Sequence, residues 1–296
     1  MKFDRSEKLC DFLQKNQIFP HMTSIKEIYA GGSSYNFYVE THENKFFLKL
    51  LVSQKSYLQI KSILTQLNFI YPLEQENFDE FFLLAMPFVD GHKLRYSDCT
   101  PELFEKLKKS YSQMQSCVLS KDFIKAQQNM PEMIKQITSY LKNDKSFSGK
   151  MIDKYFWQPI LSELVCLEPS NAFIHGDLTR NNILIDEKAQ TFIVDFEQIR
   201  YGYEIEDICY LFLQLCGFRG LFGNLQHFQK LRQMSLSLFD EPVSQRYWLY
   251  GVQMFYLNHL CRRLTNKQKH SSLRKEMCFL WSLRQYFRLS RYLHSV

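Results

Sequence analysis

The sequence HGDLTRNNIL at residues 175–184, followed by FIVDFE at residues 192–197, decides the fold of this chain. It places Asp177 and Asn182 on one short loop and Asp195 at the end of an apolar strand. Phosphoryl transfer needs one carboxylate that orients a hydroxyl and accepts its proton. It also needs an Asn and a second carboxylate that hold magnesium. The two stretches therefore contain the side chains that this chemistry requires.

The spacing of these residues carries more information than their identity. The pattern H-x-D-x-x-x-x-N, from His175 to Asn182, is that of a kinase catalytic loop. Asp195 stands where a kinase has its metal-binding Asp-Phe pair, with Glu197 in place of the usual Gly. An Asp that merely caps a helix or a turn would not require the partners at these distances. The spacing thus favours a catalytic role for Asp177.

The rest of the chain divides into a β-rich and a helical part. Short apolar strands, one amphipathic helix and hairpin turns fill the first 88 residues, whereas helical periodicity dominates residues 89–296. We therefore predict an α+β fold, with an N-terminal nucleotide-binding lobe at 1–88 and a C-terminal catalytic and substrate-binding lobe at 89–296. The first lobe should hold a small antiparallel sheet and one main helix.

The order of these motifs resembles the aminoglycoside phosphotransferase and choline kinase family, which shares the protein-kinase-like fold. The resemblance covers nearly the whole chain and implies a two-lobed structure. It also implies a role for Asp177 as catalytic base and for Asn182 and Asp195 as Mg²⁺ ligands. Structural roles near the site follow for three further residues, His175, Glu197 and Asp207.

The same resemblance assigns the ATP-binding residues. A glycine-rich turn, in which small residues let the backbone approach an anion, would cover the phosphates. It consists of Gly31, Gly32, Ser33 and Ser34. Lys49, on an apolar strand, would contact the α- and β-phosphates. The segment Met86-Pro87-Phe88-Val89, with Met86 and Phe88 as its binding residues, would form the hinge whose backbone meets adenine.

One part of the family pattern is missing. Kinase-like folds pair the strand Lys with a Glu on the next helix, but no acidic residue occurs between Lys49 and Glu74. Gln59 and Gln66 share one face of the predicted helix, and either could serve as a neutral partner. The missing carboxylate leaves a second function open, that of a catalytically weak pseudokinase or nucleotide-binding interaction module.

The composition of the chain bears on the cell compartment in which the protein is expected. The 296 residues include eight scattered cysteines without metal-type or disulfide-type spacing, and the charged N-terminus lacks a signal-peptide core. No apolar run is long enough to span a membrane. We therefore expect a cytoplasmic protein that uses a small molecule as its partner, with neither a membrane span nor a nucleic-acid ligand.

Charge is distributed unevenly. From Ile208 to the C-terminus, 13 Lys and Arg residues face three Asp and Glu residues, a net charge of +10, which leaves −4 on residues 1–207. Solvated helix faces explain this most simply. If part of the charge lines the substrate cleft, it favours a neutral or anionic acceptor over a cationic one.

Together these observations predict an ATP- and Mg²⁺-dependent kinase that phosphorylates a hydroxyl group of a small molecule. Its acceptor could be a sugar, an amino alcohol or an antibiotic. A protein kinase is the weakest alternative, because Asp207 follows Asp195 too closely to leave room for a long activation segment, and no Ala-Pro-Glu sequence follows.

Overall fold

The computed structural model describes residues 5–28, 35–119, 130–144, 150, 152–162, 164, 167, 173–218, 223–235, 238–239, 243–265 and 273–295. The chain divides into two compact units. The first comprises residues 1–91 and 112–124, and the second comprises residues 92–111 and 125–296. The predicted division into a nucleotide-binding lobe at 1–88 and a catalytic and substrate-binding lobe at 89–296 stays a prediction.

The first unit is built around a five-stranded antiparallel sheet with the strand order β1-β2-β3-β5-β4. Its elements are α1 (Arg5–Lys15), β1 (Met22–Ile28), β2 (Tyr35–Thr41), β3 (Lys45–Leu51), α2 (Gln54–Gln66), β4 (Asn77–Phe78) and β5 (Phe81–Pro87). Ser53 caps the N-terminus of α2, because its side chain accepts a hydrogen bond from the backbone N–H of Ser56.

The sheet has two different faces because side chains alternate along each strand. Leu48 and Leu50 of β3 join a buried apolar cluster that also contains Leu9 and Leu13 of α1. Lys49 lies between these two leucines in sequence and therefore points to the opposite face. Helix α2 packs against β3 and β5. Its Tyr57 stacks on Phe82, which lies on that opposite face.

A small polar cluster joins α2 to the loop before β4. Glu76 accepts hydrogen bonds from the ammonium of Lys61 and from the hydroxyl of Tyr57. Partial burial tends to raise the pKa of Glu76, but these two hydrogen bonds outweigh it and hold the pKa below its ordinary value. Burial and the bond to Glu76 raise the pKa of Tyr57 to about 12.

The second unit combines helices with two short sheets. The helices are α3 (Pro101–Gln115, whose last four residues belong to the first unit), α4 (Met130–Asn143), α5 (Gln158–Ser162), α6 (Glu204–Leu215), α7 (Leu225–Met234), α8 (Gln245–Thr265) and α9 (Leu273–Ser295). The strands are β6 (Gly91–Lys93), β7 (Phe173–Ile174), β8 (Ile183–Asp186), β9 (Thr191–Ile193) and β10 (Arg200–Tyr201). The sheet orders are β6-β8-β9 and β10-β7.

Helix α8 lies at the centre of this helical packing, in contact with α4, α6 and α9. Gly251 permits its close approach to α6, because a Cβ atom at this position would lie 2.7 Å from the carbonyl oxygen of Ile205. Both helices are apolar on more than one side, as is typical of helices enclosed by neighbours. This packing fixes the start of α6, which carries Asp207.

These elements confirm the predicted α+β fold with an antiparallel sheet followed by a mostly helical part. Within the described ranges, no helix is long and apolar enough to cross a membrane.

Candidate active site

The loop after β7 brings the predicted catalytic residues together. β7 ends at Ile174, and the chain then turns sharply at Gly176, whose φ is +77°. A Cβ atom at Gly176 would lie 2.1 Å from the carbonyl oxygen of Gln198. Only glycine fits there, since any side chain would be both strained and in collision with backbone. The turn presents Asp177, which is partly buried.

Asp207 holds this turn from the first helical turns of α6. Its Oδ2 accepts hydrogen bonds from the N–H of His175 at 2.7 Å and from the hydroxyl of Tyr111 at 2.9 Å. Its Oδ1 accepts from the N–H of Gly176 at 3.0 Å. Asp207 is 2% exposed, so three donors converge on one buried carboxylate. Hydrogen bonds to an ionised acceptor are the stronger kind.

His175 connects the loop to the strand that precedes Asp195. Its ring Nε2 lies 2.9 Å from the carbonyl oxygen of Val194, and its Nδ1 lies 3.3 Å from the N–H of Asp177. A carbonyl can only accept and an N–H can only donate. The ring is therefore assigned as the neutral tautomer with its proton on Nε2. His175 is completely buried.

Asn182 contacts Asp177 directly. Its Nδ2 donates to the backbone oxygen of Asp177 at 2.9 Å and to the Asp177 carboxylate at 3.3 Å. Because both contacts are acceptors, the amide nitrogen must face them, and Oδ1 points the other way. The short 3₁₀ turn Arg180–Asn182 places the side chain, with the Thr179 hydroxyl accepting the N–H of Asn181.

Asp195 follows β9 in an unusual backbone conformation. Its φ and ψ are 70° and 60°, in the left-handed region, and its side chain is exposed. Such a conformation costs a non-glycine residue roughly 1–3 kcal/mol and is concentrated at functional sites. The N–H of Val194 donates to the carbonyl of Asn182 at 3.0 Å, so the positions before Asp195 are tied to the catalytic loop. Glu197 is half-buried in the next turn, Phe196–Gln198.

The donors at this site suit a hard divalent cation. Mg²⁺ prefers oxygen ligands and is usually held by one or two protein groups, with phosphates and water completing its shell. The amide oxygen of Asn182 and the exposed carboxylate of Asp195 are ligands of this kind. Throughout the described part of the chain, no group of three or more His, Cys, Asp or Glu side chains could hold a metal ion by itself. The residues thus fit a magnesium shared with a phosphate ligand.

Lys49, the predicted phosphate-binding lysine, lies on β3 of the first unit. Lys49 is 6% exposed, an unusual burial for a lysine, and is paired in the sheet with Asn36 on β2 and Leu84 on β5. The predicted phosphate-binding turn Gly31, Gly32, Ser33 and Ser34 lies outside the described residues.

The segment predicted as the hinge, residues 86–89, follows directly from the register of β5 against β3. The N–H of Phe88 donates to the carbonyl of Lys45 at 3.0 Å and therefore belongs to the sheet. In an antiparallel pair the backbone groups of successive residues alternate between facing the partner strand and facing away. The carbonyl of Pro87 accordingly faces away from β3, and the next N–H along the chain is that of Val89. The side chain of Met86 is buried.

The two candidate partners of Lys49 occupy different environments. Gln66 is exposed, and its amide donates to the carbonyl of Val118 at 2.9 Å and accepts from the N–H of Val118 at 2.7 Å. Gln59 is 3% exposed on α2, the helix that covers the sheet face with Lys49. Its buried Nε2 has no hydrogen-bond partner among the described residues. Gln59 is therefore the better placed of the two.

Three site residues were not predicted from the sequence: Tyr111, Arg200 and Glu206. Arg200 and Glu206 form a buried ion pair, with Nη2 and Oε2 2.7 Å apart, which closes the segment between β10 and α6. Burial raises the pKa of Glu206, and the guanidinium of Arg200 opposes this shift. The sequence gives one sign of this ion pair, which is an Arg on a strand followed six residues later by a Glu.

Comparison with known proteins identifies the family of the chain. The family model described as the phosphotransferase enzyme family matches residues 24–224, which include every predicted site residue. No curated protein sequence matches the chain significantly.

Solved structures share the fold at low sequence identity. A spectinomycin phosphotransferase in complex with ADP and spectinomycin is 13% identical, with a TM-score of 0.65 over 95% of this chain and 93% of that one. An amicoumacin kinase bound to AMP-PNP, Ca²⁺ and Ami is 15% identical, with a TM-score of 0.64 over 96% and 92%. The choline kinase LicA from Streptococcus pneumoniae is 15% identical, with a TM-score of 0.58 over 98% and 100%.

The family model covers about two thirds of the chain, and the structural neighbours extend the likeness of fold over nearly all of it. The predicted resemblance to aminoglycoside phosphotransferases and choline kinases is thereby confirmed. This chain belongs to the phosphotransferase enzyme family.

Proposed function

We propose that this protein transfers the γ-phosphoryl group of ATP to a hydroxyl group of a small molecule, with Mg²⁺ as the metal. One observation carries the proposal. Asp177 and Asn182 contact each other on the catalytic loop, and hydrogen bonds through His175 and Asn182 tie this loop to Val194, next to Asp195. The proposed base and the two proposed metal ligands thus belong to one hydrogen-bonded framework.

Asp177 would act on the acceptor. Its carboxylate orients the hydroxyl of the substrate and accepts the proton that leaves as the new O–P bond forms. The hydrogen bond from Asn182 fixes the orientation of that carboxylate, and Asp207 fixes the backbone beneath it. Positioning matters most in phosphoryl transfer, because the protein contributes little covalent chemistry.

Asn182 and Asp195 would hold the metal through their side-chain oxygens. When bound, Mg²⁺ neutralises charge on the phosphates. The left-handed backbone of Asp195 presents its carboxylate to solvent, where a metal–nucleotide complex can reach it.

The nucleotide assignments rest on the family and on relatives solved with ADP or AMP-PNP. Lys49 would contact the phosphates, and Gly31, Gly32, Ser33 and Ser34 would cover them. At the hinge after Met86, the Pro87 carbonyl and the Val89 N–H match the exocyclic amine and the N1 acceptor of adenine better than the N–H of Phe88, which is already bonded to Lys45.

For the acceptor, we propose a neutral or anionic compound on the basis of the +10 charge of the C-terminal region. The described bases Lys230, Arg246, Arg284, Arg288 and Arg291 have exposed side chains. They can raise the local concentration of an anion without contacting it.

A cationic acceptor has a separate observation in its favour. Tyr203 packs edge-on against Tyr247 and Tyr250, with ring centroids 5.8 and 5.4 Å apart, at the start of α6. Burial and the nearby charge of Glu204 raise the pKa of Tyr247. Aromatic rings beside a carboxylate bind ammonium groups well. Turnover with choline, with an aminoglycoside and with a sugar at two salt concentrations separates the two proposals.

The cell compartment is also a proposal. The six cysteines whose side chains the structure describes are free thiols, which is consistent with a reducing, cytoplasmic environment.

Calorimetric titration with Mg-ATP tests the nucleotide part of the proposal. The Asp195→Ala protein should lose most of its Mg-dependent affinity, because the main carboxylate that bridges protein and phosphate is gone. Glu187→Ala is a matched control, since it removes an exposed carboxylate from the turn between β8 and β9. Unchanged Mg-ATP affinity in Asp195→Ala would contradict the assignment.

A further inference from the structure

Three side chains of helix α3 make polar contacts with the active-site framework, which consists of the loop at residues 175–182, the β8–β9 hairpin before Asp195, and Asp207. The ammonium of Lys106 donates to the carbonyl of Ala189 at 2.8 Å, and the hydroxyl of Ser110 donates to the carbonyl of Thr191 at 2.8 Å. Both acceptors lie in the β8–β9 hairpin, whose second strand leads to Asp195. The third contact is the hydrogen bond from Tyr111 to Asp207.

The Tyr111 contact is distinguished by its burial. Tyr111 is 6% exposed and Asp207 is 2% exposed. Water therefore cannot take the place of either group as the hydrogen-bond partner of the other. Burial, followed by the charge of Asp207, raises the pKa of Tyr111 well above its ordinary value. The phenol is therefore a neutral hydroxyl that donates its proton to the carboxylate.

The Tyr111 hydroxyl and the N–H of His175 share one oxygen of Asp207. The phenol approaches that oxygen from α3, whereas the N–H approaches from the catalytic loop. Without the phenol, the carboxylate would retain only its two loop donors and could rotate with the loop. With it, the carboxylate is anchored to a second helix.

We propose that Tyr111 is a positioning residue that holds the Asp207 carboxylate, and through it the His175–Gly176 turn, in the arrangement that presents Asp177 to the acceptor. The proposal rests on the assigned role of Asp177 for its effect on rate, but not for its effect on the loop. Tyr111 lies on α3, far from Gly176 in the sequence, and touches no reacting atom; it acts only through Asp207.

The chain offers a matched control for removing a buried phenol hydroxyl. Tyr256 is 2% exposed, and its hydroxyl has no hydrogen-bond partner among the described residues. Tyr256→Phe and Tyr111→Phe therefore delete the same atom from two buried sites, only one of which holds a hydrogen bond to the framework.

Hydrogen exchange on the full-length protein tests the positioning directly. In Tyr111→Phe, the backbone amides of His175 and Gly176 should exchange faster by about threefold to tenfold, the factor that corresponds to one net hydrogen bond. In Tyr256→Phe these amides should exchange at the wild-type rate. Equal exchange at both amides in the two substituted proteins would overturn the proposal.

Turnover supplies the second readout. With Mg-ATP and water as the acceptor, kcat of Tyr111→Phe should fall by a similar factor, about threefold to tenfold, while the KM for Mg-ATP stays unchanged. A rise in KM alone would also overturn the proposal, since Tyr111 would then affect nucleotide binding. Absence of hydrolysis in the wild-type protein does not bear on transfer to a hydroxyl compound, because water is not the proposed acceptor. The proposed function fails only if no hydroxyl compound is phosphorylated, and in either case the exchange result decides whether Tyr111 positions the loop.

Discussion

Replacing Asp207 by Asn keeps the size of the side chain but removes one of the two acceptor oxygens that hold the His175–Gly176 turn. Oδ1 of Asp207 accepts the N–H of Gly176, and Oδ2 accepts the N–H of His175 and the hydroxyl of Tyr111. An asparagine has one acceptor oxygen and one donor nitrogen in those two places. In either amide orientation, a buried backbone N–H faces another donor and loses its partner.

The expected loss of stability follows from this count. One buried donor left without a partner costs about 1–3 kcal/mol, and the surviving bonds weaken because their acceptor is no longer charged, which adds about 1 kcal/mol. We therefore expect Asp207→Asn to reduce the free energy of unfolding by about 2–4 kcal/mol. Urea unfolding followed by tryptophan fluorescence measures this difference, provided that the slope of the transition is unchanged.

Asp186→Asn is the control for this experiment. Asp186 also accepts two backbone N–H groups, those of Lys188 and Gln190, but both bond to the same oxygen, Oδ1, near the surface. An amide oxygen can keep both bonds, so the loss should stay below about 1 kcal/mol. If Asp207→Asn were no more destabilising than Asp186→Asn, the argument that Asp207 anchors the loop through both oxygens would be refuted.

Three further predictions concern catalysis and pH. Asp177→Asn should lower turnover by roughly 10²–10⁴ while Mg-ATP affinity stays within a few-fold, and near-normal turnover would show that its carboxylate is not the base. Gln59→Glu should preserve or raise activity by giving Lys49 a charged partner, whereas Gln66→Glu should leave turnover unchanged; loss of activity in a folded Gln59→Glu protein would rule out the pairing. The lowered pKa of Glu76 implies stability that is present above about pH 4.5 and lost as pH falls through the folded-state value. Glu76→Gln should therefore flatten the acid side of the stability profile, and an unchanged profile would contradict this.

The proximity of Asp177, Asn182 and Asp195 could be predicted from the sequence because these residues are local in the chain. Asn182 lies five residues after Asp177, and Asp195 lies 13 residues after Asn182, so one loop and one hairpin bring them together. The order of strands, helix and loop then indicated the fold, since each motif has a fixed place in it. Local spacing of this kind can be interpreted without any knowledge of tertiary packing.

The contacts that hold the loop could not be predicted from the sequence, because they join residues that are far apart in the chain. Tyr111 and Asp207 are 96 residues apart, and nothing in the periodicity of α3 distinguishes a buried Tyr that packs from one that donates a hydrogen bond. The hinge shows the same limit. Whether the N–H of Phe88 faces Lys45 or solvent depends on strand register, which shifts with a single residue.

The choice between Gln59 and Gln66 required the packing of α2. Seven residues apart, they share a helix face in the sequence pattern, but α2 ends at Gln66, where the side chain reaches the backbone of Val118 instead of the sheet. The burial of Gln59 on α2 and the hydrogen bonds of Gln66 to Val118 distinguish the two residues, and both depend on tertiary packing.

We propose above that this chain transfers phosphate from ATP to a small hydroxyl compound with Asp177 as the base. The most direct measurement follows labelled γ-phosphate from Mg-ATP into product across sugars, amino alcohols, nucleosides and antibiotics, with the Asp177→Asn protein as the background. We expect at least one acceptor class to yield a phosphorylated product roughly 10² or more above that background. If the wild-type protein binds Mg-ATP but labels every acceptor as weakly as Asp177→Asn does, the claim is contradicted and the chain is a nucleotide-binding module.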